Sequence, residues 1–388
     1  MKILHLCLGA FFVDNFSYQE NILTKYHARM GHDVSVITSL FTFGNNGQGT
    51  YFEHPIEYDN PDGVHVFRLD YRKPRKIFST LRRFEGLFDV ISRVEPDIIF
   101  SHNLSYADTT VVRKYVKQHP AVYVFADNHA DYVNSARNWL SYHVKHAIMW
   151  RHYAKVLEPY LAKCYGVTPM RCRFLKEMYR IAPNKVEFLP MGVDDDAIPS
   201  NREEVRAIVR NELGISEHDF VVFTGGKIDR LKNTHILISA LEQIENTNVH
   251  LIICGTLTPQ MEYLSSSIDS NSNIHYLGWC DAPRVINCMI ASDLACFPGT
   301  HSTLWEQAVG VGLPSVFKRW VEMEHVNING NCVLVEGDDS KELSVILSKI
   351  FNSSEILLMK EKAMKASQFF LYSKIAKEAI QFEKTNVS

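Results

Sequence analysis

Short β-type apolar runs alternate with longer helical patterns along nearly the whole chain, and that alternation admits few folds. Strands buried in a parallel sheet read as continuous Val/Ile/Leu runs, and each must return through a helix that covers a face of the sheet. Two such series are visible. The first predicts strands over Lys2–Leu8, Asp33–Thr38, Val64–Leu69, Ile98–Ser101 and Ala121–Ala126, with a helix over Tyr18–Met30 that Gly31 ends, then short strands over Lys163–Val167 and Val186–Leu189. The second predicts strands over Phe220–Gly225, Val249–Cys254, Ile274–Leu277, Leu294–Phe297, Ser315–Phe317 and Cys332–Val335, with helices such as His235–Ile244 and Lys341–Phe351 between them. Pro190-Met191-Gly192-Val193-Asp194 breaks the chain between the series.

At 388 residues the chain exceeds the roughly 250–300 at which a single core stops growing, so two domains are expected. They are two facing, Rossmann-like, doubly wound α/β domains, 1–192 and 193–366. Open sheets of this kind bind ligands outside the carboxyl ends of their strands, so a shared ligand would lie in the interdomain cleft. The net charge of -3 hides an asymmetry, with 24 basic against 18 acidic residues in 1–190 and 17 against 26 thereafter. That balance, without a recognised binding motif, argues against nucleic acid as a partner. No apolar run approaches the roughly 20 residues of a membrane span, and the first residues read as a strand rather than a signal peptide, so a cytoplasmic location is expected. The eight cysteines are scattered without C-x-x-C spacing and read as buried reduced thiols.

The chemistry concentrates in Phe297–Pro314. A buried strand end, a polar turn and a short helix stopped by Gly312-Leu313-Pro314 make the layout of an anion site. Ser302 and Thr303 open the helix, whose first N–H groups and dipole suit a phosphate. Glu306, one turn in, suits sugar hydroxyls. In Phe223–Asn233 a strand end runs into Gly225-Gly226, followed by Lys227, Arg230 and Lys232, so backbone and cations can approach a ligand together. The competing reading of that loop is a solvated basic turn.

Taken in order, Gly31-His32-Asp33-Val34, Asp127-Asn128-His129, Leu189-Pro190-Met191-Gly192-Val193-Asp194, Gly226-Lys227 with Lys232, Gly278-Trp279, and Glu306 with Gly312-Leu313-Pro314 resemble the retaining glycosyltransferases of family 4 over nearly the whole chain. The resemblance implies the GT-B fold, with residues 367–388 forming helices that cross back onto the first domain, and with the second domain holding a nucleoside diphosphate sugar, UDP-linked, and no metal or other cofactor. It places Lys227 and Lys232 on the diphosphate, Glu306 on the ribose, and Gly9, Gly226, Trp279 and Cys280 around the donor. His129 falls beside the donor sugar, where its ring or carbonyl stabilises developing positive charge. The family's first motif glutamate would fall eight positions before Glu306, where this chain has Pro298 and a shortened loop. His301, Ser302, Thr303 and Leu304 are the nearest replacements.

Phe11 and Tyr18, in the turn after the first strand, are candidates to stack on an acceptor saccharide, and Asn103 and Asp131 to bind its hydroxyls. The basic aromatic stretches Tyr71–Phe84 and Trp139–Lys155 suit an anionic membrane surface or a pyrophosphate-bearing lipid acceptor, and equally a solvated loop and an ordinary amphipathic helix. The expected activity is sugar transfer to a saccharide or lipid-linked saccharide, as in surface polysaccharide assembly, with peripheral attachment at the inner face of a membrane as the location those stretches would suit. Two alternatives stand beside it: a nucleotide-sugar epimerase, and a non-catalytic binding subunit of a glycosyltransferase complex.

Overall fold

The computed structural model describes residues 1–14, 16–44, 48–244, 248–351 and 354–382. The chain divides into two compact units, Met1–Pro190 with Ser373–Ser388, and Met191–Tyr372.

The strands of the first unit are β1 (Lys2–Cys7), β2 (Asp33–Ser39), β3 (Phe41–Phe43), β4 (Gly49–Tyr51), β5 (Ile56–Asp59), β6 (His65–Leu69), β7 (Ile98–His102), β8 (Tyr123–Asn128), β9 (Leu161–Gly166) and β10 (Val186–Phe188). Its main sheet runs β10-β9-β8-β7-β1-β2-β6-β5, parallel throughout except for β5, which pairs antiparallel with β6. The reversal of strand order falls between β1 and β7. Leu4, Leu6, Ile99 and Val124, all buried, form the sheet's side of the core, each worth roughly 1.5–3 kcal/mol in removal from water. The helix Gln19–Arg29 covers the sheet and ends where Gly31 turns left-handed at φ 81°.

The expected strand at Val64–Leu69 is β6, but the sequence reading passes over its antiparallel neighbour β5 and the β3–β4 ribbon. Ile56, Glu57 and Asp59 of β5 are exposed, so that edge strand lacks the apolar run that marks the buried ones. The C-terminal helix Tyr372–Ala379 belongs to this unit from Ser373 onward. The carbonyl of Ala376 accepts from His27, and Phe382 stacks on Tyr123 at 4.0 Å between ring centres.

The second unit holds β11 (Phe220–Gly225), β12 (Val249–Cys254), β13 (Ile274–Tyr276), β14 (Leu294–Phe297), β15 (Ser315–Lys318) and β16 (Cys332–Val335) in the order β13-β12-β11-β14-β15-β16, all parallel. Here the order reverses between β11 and β14. Each unit therefore opens a crevice at the carboxyl ends of two strands, β1 and β7 in one, β11 and β14 in the other. All eight cysteines are free thiols and seven are buried. No helix among the described residues is long and apolar enough to cross a membrane.

Candidate functional site

In the second unit the switch point is assembled by glycines that let backbone touch backbone. Gly226 has φ 104° and donates to the Cys254 carbonyl at 2.8 Å. A Cβ on Gly225 would stand 2.4 Å from that same oxygen. A Cβ on Gly299, just past β14, would lie 2.3 Å from the Leu231 carbonyl, so the turn Arg230–Lys232 rests directly on the loop after β14. Asn233, left-handed at φ 56°, donates to the Pro298 carbonyl at 3.0 Å and so fastens the loop from the other side.

Lys232 Nζ donates to the carbonyls of Thr300 at 2.7 Å and His301 at 2.9 Å, which leaves one N–H for another acceptor. Burial pushes this lysine down to about 8, with Asp229 acting in the opposite sense. Lys227 is exposed. Trp279 is 73% exposed beyond β13, and Cys280 beside it is half-buried with its thiol toward the Gly278 carbonyl.

The helix Leu304–Val311 follows, with Gly312 left-handed at its end. Neither Ser302 nor Thr303 caps it with a side chain, contrary to the expected opening. The Ser302 carbonyl takes the N–H of Trp305, and the buried Ser302 hydroxyl has no partner. Glu306 is completely buried. Its Oε1 accepts from His301 Nε2 at 2.7 Å and from His325 Nε2 at 2.8 Å, while Oε2 is buried without a partner. Burial opposes ionisation, but the two imidazoles outweigh it and hold the carboxyl well below its usual range.

His301, Glu306 and His325 bring three metal-ligating side chains within 4.8 Å of one another. Both nitrogens contact a single oxygen at hydrogen-bond distance, closer than the roughly 3.3 Å between ligands around a tetrahedral zinc. The arrangement is a carboxylate clamped by two imidazole donors. Sequence reasoning missed His325, which arrives from the turn Glu324–Val326 with no periodicity to mark it.

In the first unit Gly9, Asn103 and His129 follow β1, β7 and β8 at the switch point. A Cβ on Gly9 would stand 2.9 Å from Asn103 Cβ. Asn103 is left-handed at φ 65°; its N–H donates to Asp127 Oδ1 and its Oδ1 accepts from the His129 N–H, both at 2.9 Å. The His129 carbonyl accepts from Asn134 at 2.8 Å, and its ring points Nε2 at Asp127 Oδ2, 3.6 Å away. Burial alone would lower the His129 pKa, but Asp127 outweighs it and the pKa is raised.

Asp131 is buried and committed: it accepts from the Val133 and Asn134 N–H groups and from Arg171 Nε at 3.1 Å, which caps a turn. Phe11 and Tyr18 are exposed at 55% and 41%; Phe11 packs on Phe41 and Tyr18 stacks on Phe16. Of the Tyr71–Phe84 cations, Arg82 turns inward to the carbonyls of Gly9 and Ser105, while Lys73, Arg75 and Lys76 stay exposed with Ile77.

Residues 205–364 match the family Glycosyl transferases group 1, and residues 22–197 match Glycosyltransferase Family 4. No curated protein matches the sequence. Among solved structures, the chain is similar to sucrose-phosphate synthase from Thermosynechococcus elongatus (14% identity, TM-score 0.67, 97% of this chain and 96% of that one). It is also similar to Anabaena HepE in complex with UDP and glucose (18%, 0.66, 97% and 98%) and to WaaG, a glycosyltransferase involved in lipopolysaccharide biosynthesis (18%, 0.62, 98% and 100%). With two Rossmann-like units and these matches over both of them, the chain belongs to the group 1 glycosyltransferases and has the GT-B fold.

Proposed function

We propose that this glycosyltransferase is a retaining, metal-independent enzyme that moves a sugar from a UDP-sugar to a hydroxyl of a saccharide or lipid-linked saccharide. The observation that carries the reading is Glu306, a buried, ionised carboxylate at the β11/β14 switch point with one oxygen clamped and the other unpartnered. A ribose diol offers the two donors that such an oxygen lacks. The diphosphate meets the start of the helix Leu304–Val311 with the orphaned Ser302 hydroxyl and the N–H groups of Thr303 and Leu304, the third N–H of Lys232, and Lys227. Gly226 gives the close approach, Cys280 lines the same edge, and Trp279 stacks on the base. For the first unit, the roles we assign are contact with the diphosphate to Gly9 and stabilisation of the positive charge that develops on the sugar to His129. Phe11 and Tyr18, both exposed, offer the acceptor stacking surfaces, and Asn103 is assigned to its hydroxyls. With His301 in the shortened loop and no carboxylate at Pro298, same-face attack through an ion-pair-like transition state fits better than a covalent intermediate.

A thermal-shift series with nucleoside diphosphates tests the donor assignment: UDP raises the melting temperature, and Lys232→Ala removes the rise. The rise also fades as pH passes through about 8, where Lys232 loses its proton. The sign of the stability term excludes unfolding as the cause. A lysine depressed on folding releases its proton before its unfolded counterpart does, so above pH 8 the free protein gains stability from this group. No shift with any nucleotide would sink the donor assignment, and an inverted product anomer in an NMR spectrum would sink retention.

The exposed Lys73, Arg75, Lys76 and Ile77, and Trp139, Leu140, Val144 and Ile148 at the helical stretch around Ser141–Trp150, support attachment to an anionic membrane surface. Sedimentation with vesicles is expected to be strong with phosphatidylglycerol and weak with phosphatidylcholine alone. Equal sedimentation with both, or with neither, rules the attachment out.

A further inference from the structure

Beneath the sheet edge that carries His129, four buried side chains form an unbroken line. His27 Nε2 faces the Ala376 carbonyl at 2.8 Å, and His27 Nδ1 faces His5 Nε2 at 2.9 Å. His5 Nδ1 faces His102 Nε2 at 2.9 Å, and His102 Nδ1 faces Asp127 Oδ2 at 2.7 Å. The line crosses from the C-terminal helix through the helix Gln19–Arg29, β1 and β7 to the end of β8. His5, His27, His102 and Asp127 are all 0% exposed.

Proton counting constrains it. Four hydrogen bonds need four protons, three neutral imidazoles supply three, and a carbonyl and a carboxylate at the two ends can only accept. Starting from Ala376, His27 must donate from Nε2 and accept at Nδ1; His5 must then do the same; and His102 must donate from Nε2. For His102 to reach Asp127 as well, it needs a second proton.

We propose that His27, His5 and His102 are positioning residues for His129, forming a relay whose one extra proton makes His102 an imidazolium ion-paired to Asp127. Burial drives His5 well below its ordinary value and His27 down to about 4, so neither is the seat of the charge. Asp127 is held ionised by His102 and His129 against the effect of burial. Asp127 Oδ2 is shared between His102 at 2.7 Å and the His129 ring at 3.6 Å, and it raises the His129 pKa against the effect of burial. A cationic His102 offsets part of the charge with which Asp127 acts on His129. Glu20 and Arg171 act on His129 from the flanking helices in opposite senses and complete its surroundings. The relay has no solvent end, since it stops at a backbone carbonyl; it stores a proton and does not conduct one.

The positioning role rests on the reading of His129 as catalytic, while the protonation states can be read without turnover. In full-length protein labelled with nitrogen-15 in its histidines, long-range proton–nitrogen correlation near neutral pH is expected to show His102 protonated on both nitrogens and His5 and His27 on Nε2 alone. A bare nitrogen on His102 overturns the relay. His5→Phe removes two of the four bonds and the need for the fourth proton, so Asp127 turns its charge on His129. The His129 titration midpoint is then expected to rise by at least about half a pH unit. An unmoved midpoint overturns the positioning role. If the variant does not fold, the ring states of the unmodified protein still decide. Turnover retained in His129→Ala would remove His129 from the chemistry while leaving those ring states unchanged, so the two failures are distinguishable.

Discussion

Glu306→Ala is expected to abolish stabilisation by UDP and to lower the melting temperature of the free protein as well. Two imidazoles donate to this buried carboxylate, and deleting it leaves both donors facing a cavity. Breaking a buried pair from one side typically costs about 3–5 kcal/mol. Glu306→Gln separates the two effects: it fills the space and still accepts from an imidazole, but it loses the charge that a ribose diol would meet. Hydrogen bonds to a charged group contribute about 1.5–3 kcal/mol, so titration calorimetry should find UDP binding weakened by about a hundredfold. Stability carries a pH signature too. The carboxyl is depressed on folding from 4.5, so its contribution is present above that value and is lost as pH falls toward the depressed one. The gap in melting temperature between the unmodified protein and Glu306→Gln should therefore narrow on acidification below 4.5. An unchanged UDP affinity in Glu306→Gln would remove this residue from the donor site.

Gly255→Ala is expected to be the most damaging change of a single hydrogen to a methyl group. Gly255 has φ 150°, and a Cβ there would stand 1.8 Å from the Gly226 carbonyl oxygen and 2.8 Å from its carbon. The obstructing atoms are backbone, so no rotamer relieves the clash. Moving them would open the contact between the ends of β11 and β12 on which the Lys227–Lys232 loop is built. A loss of about 3 kcal/mol or more in denaturant unfolding of the full chain is the expected reading, with UDP stabilisation lost alongside. Gly31→Ala makes a useful contrast, because its added Cβ meets nothing within 4 Å and only its φ of 81° resists. It should cost about 1 kcal/mol. Equal losses at the two positions would mean that backbone contact is not what Gly255 protects.

The parallel strands were legible because burial on both faces demands continuous apolar runs: Ile98-Ile99-Phe100 of β7 and Leu294–Phe297 of β14 have no other simple reading. β5 was not, since Ile56-Glu57-Tyr58-Asp59 lies at an exposed edge where pairing makes few demands on composition. In the second unit, Glu306 stood out as an acid in an apolar helix and His301 by its nearness in sequence. His325, nineteen residues beyond Glu306, joins them only through the fold. The relay was illegible for another reason. His5, His27 and His102 sit on three different elements, each looks like an isolated core histidine, and only the pairing of β1 with β7 and the packing of the helix Gln19–Arg29 on the sheet bring His102 and His27 within 3 Å of His5.

The second unit enters and leaves through one place. Val193 and Leu371 pair as a parallel bridge, Val193 N–H donates to the Phe370 carbonyl at 2.8 Å, and Tyr372 N–H donates to the Val193 carbonyl at 3.1 Å. Its two ends are thus stapled side by side, and the first unit receives its last helix only after the second has been traversed. During synthesis this reverses the usual order of completion. The ribosome releases residues 1–190 as a sheet whose His27 still lacks the Ala376 carbonyl, so the half made first must wait, unfinished, for the half made second.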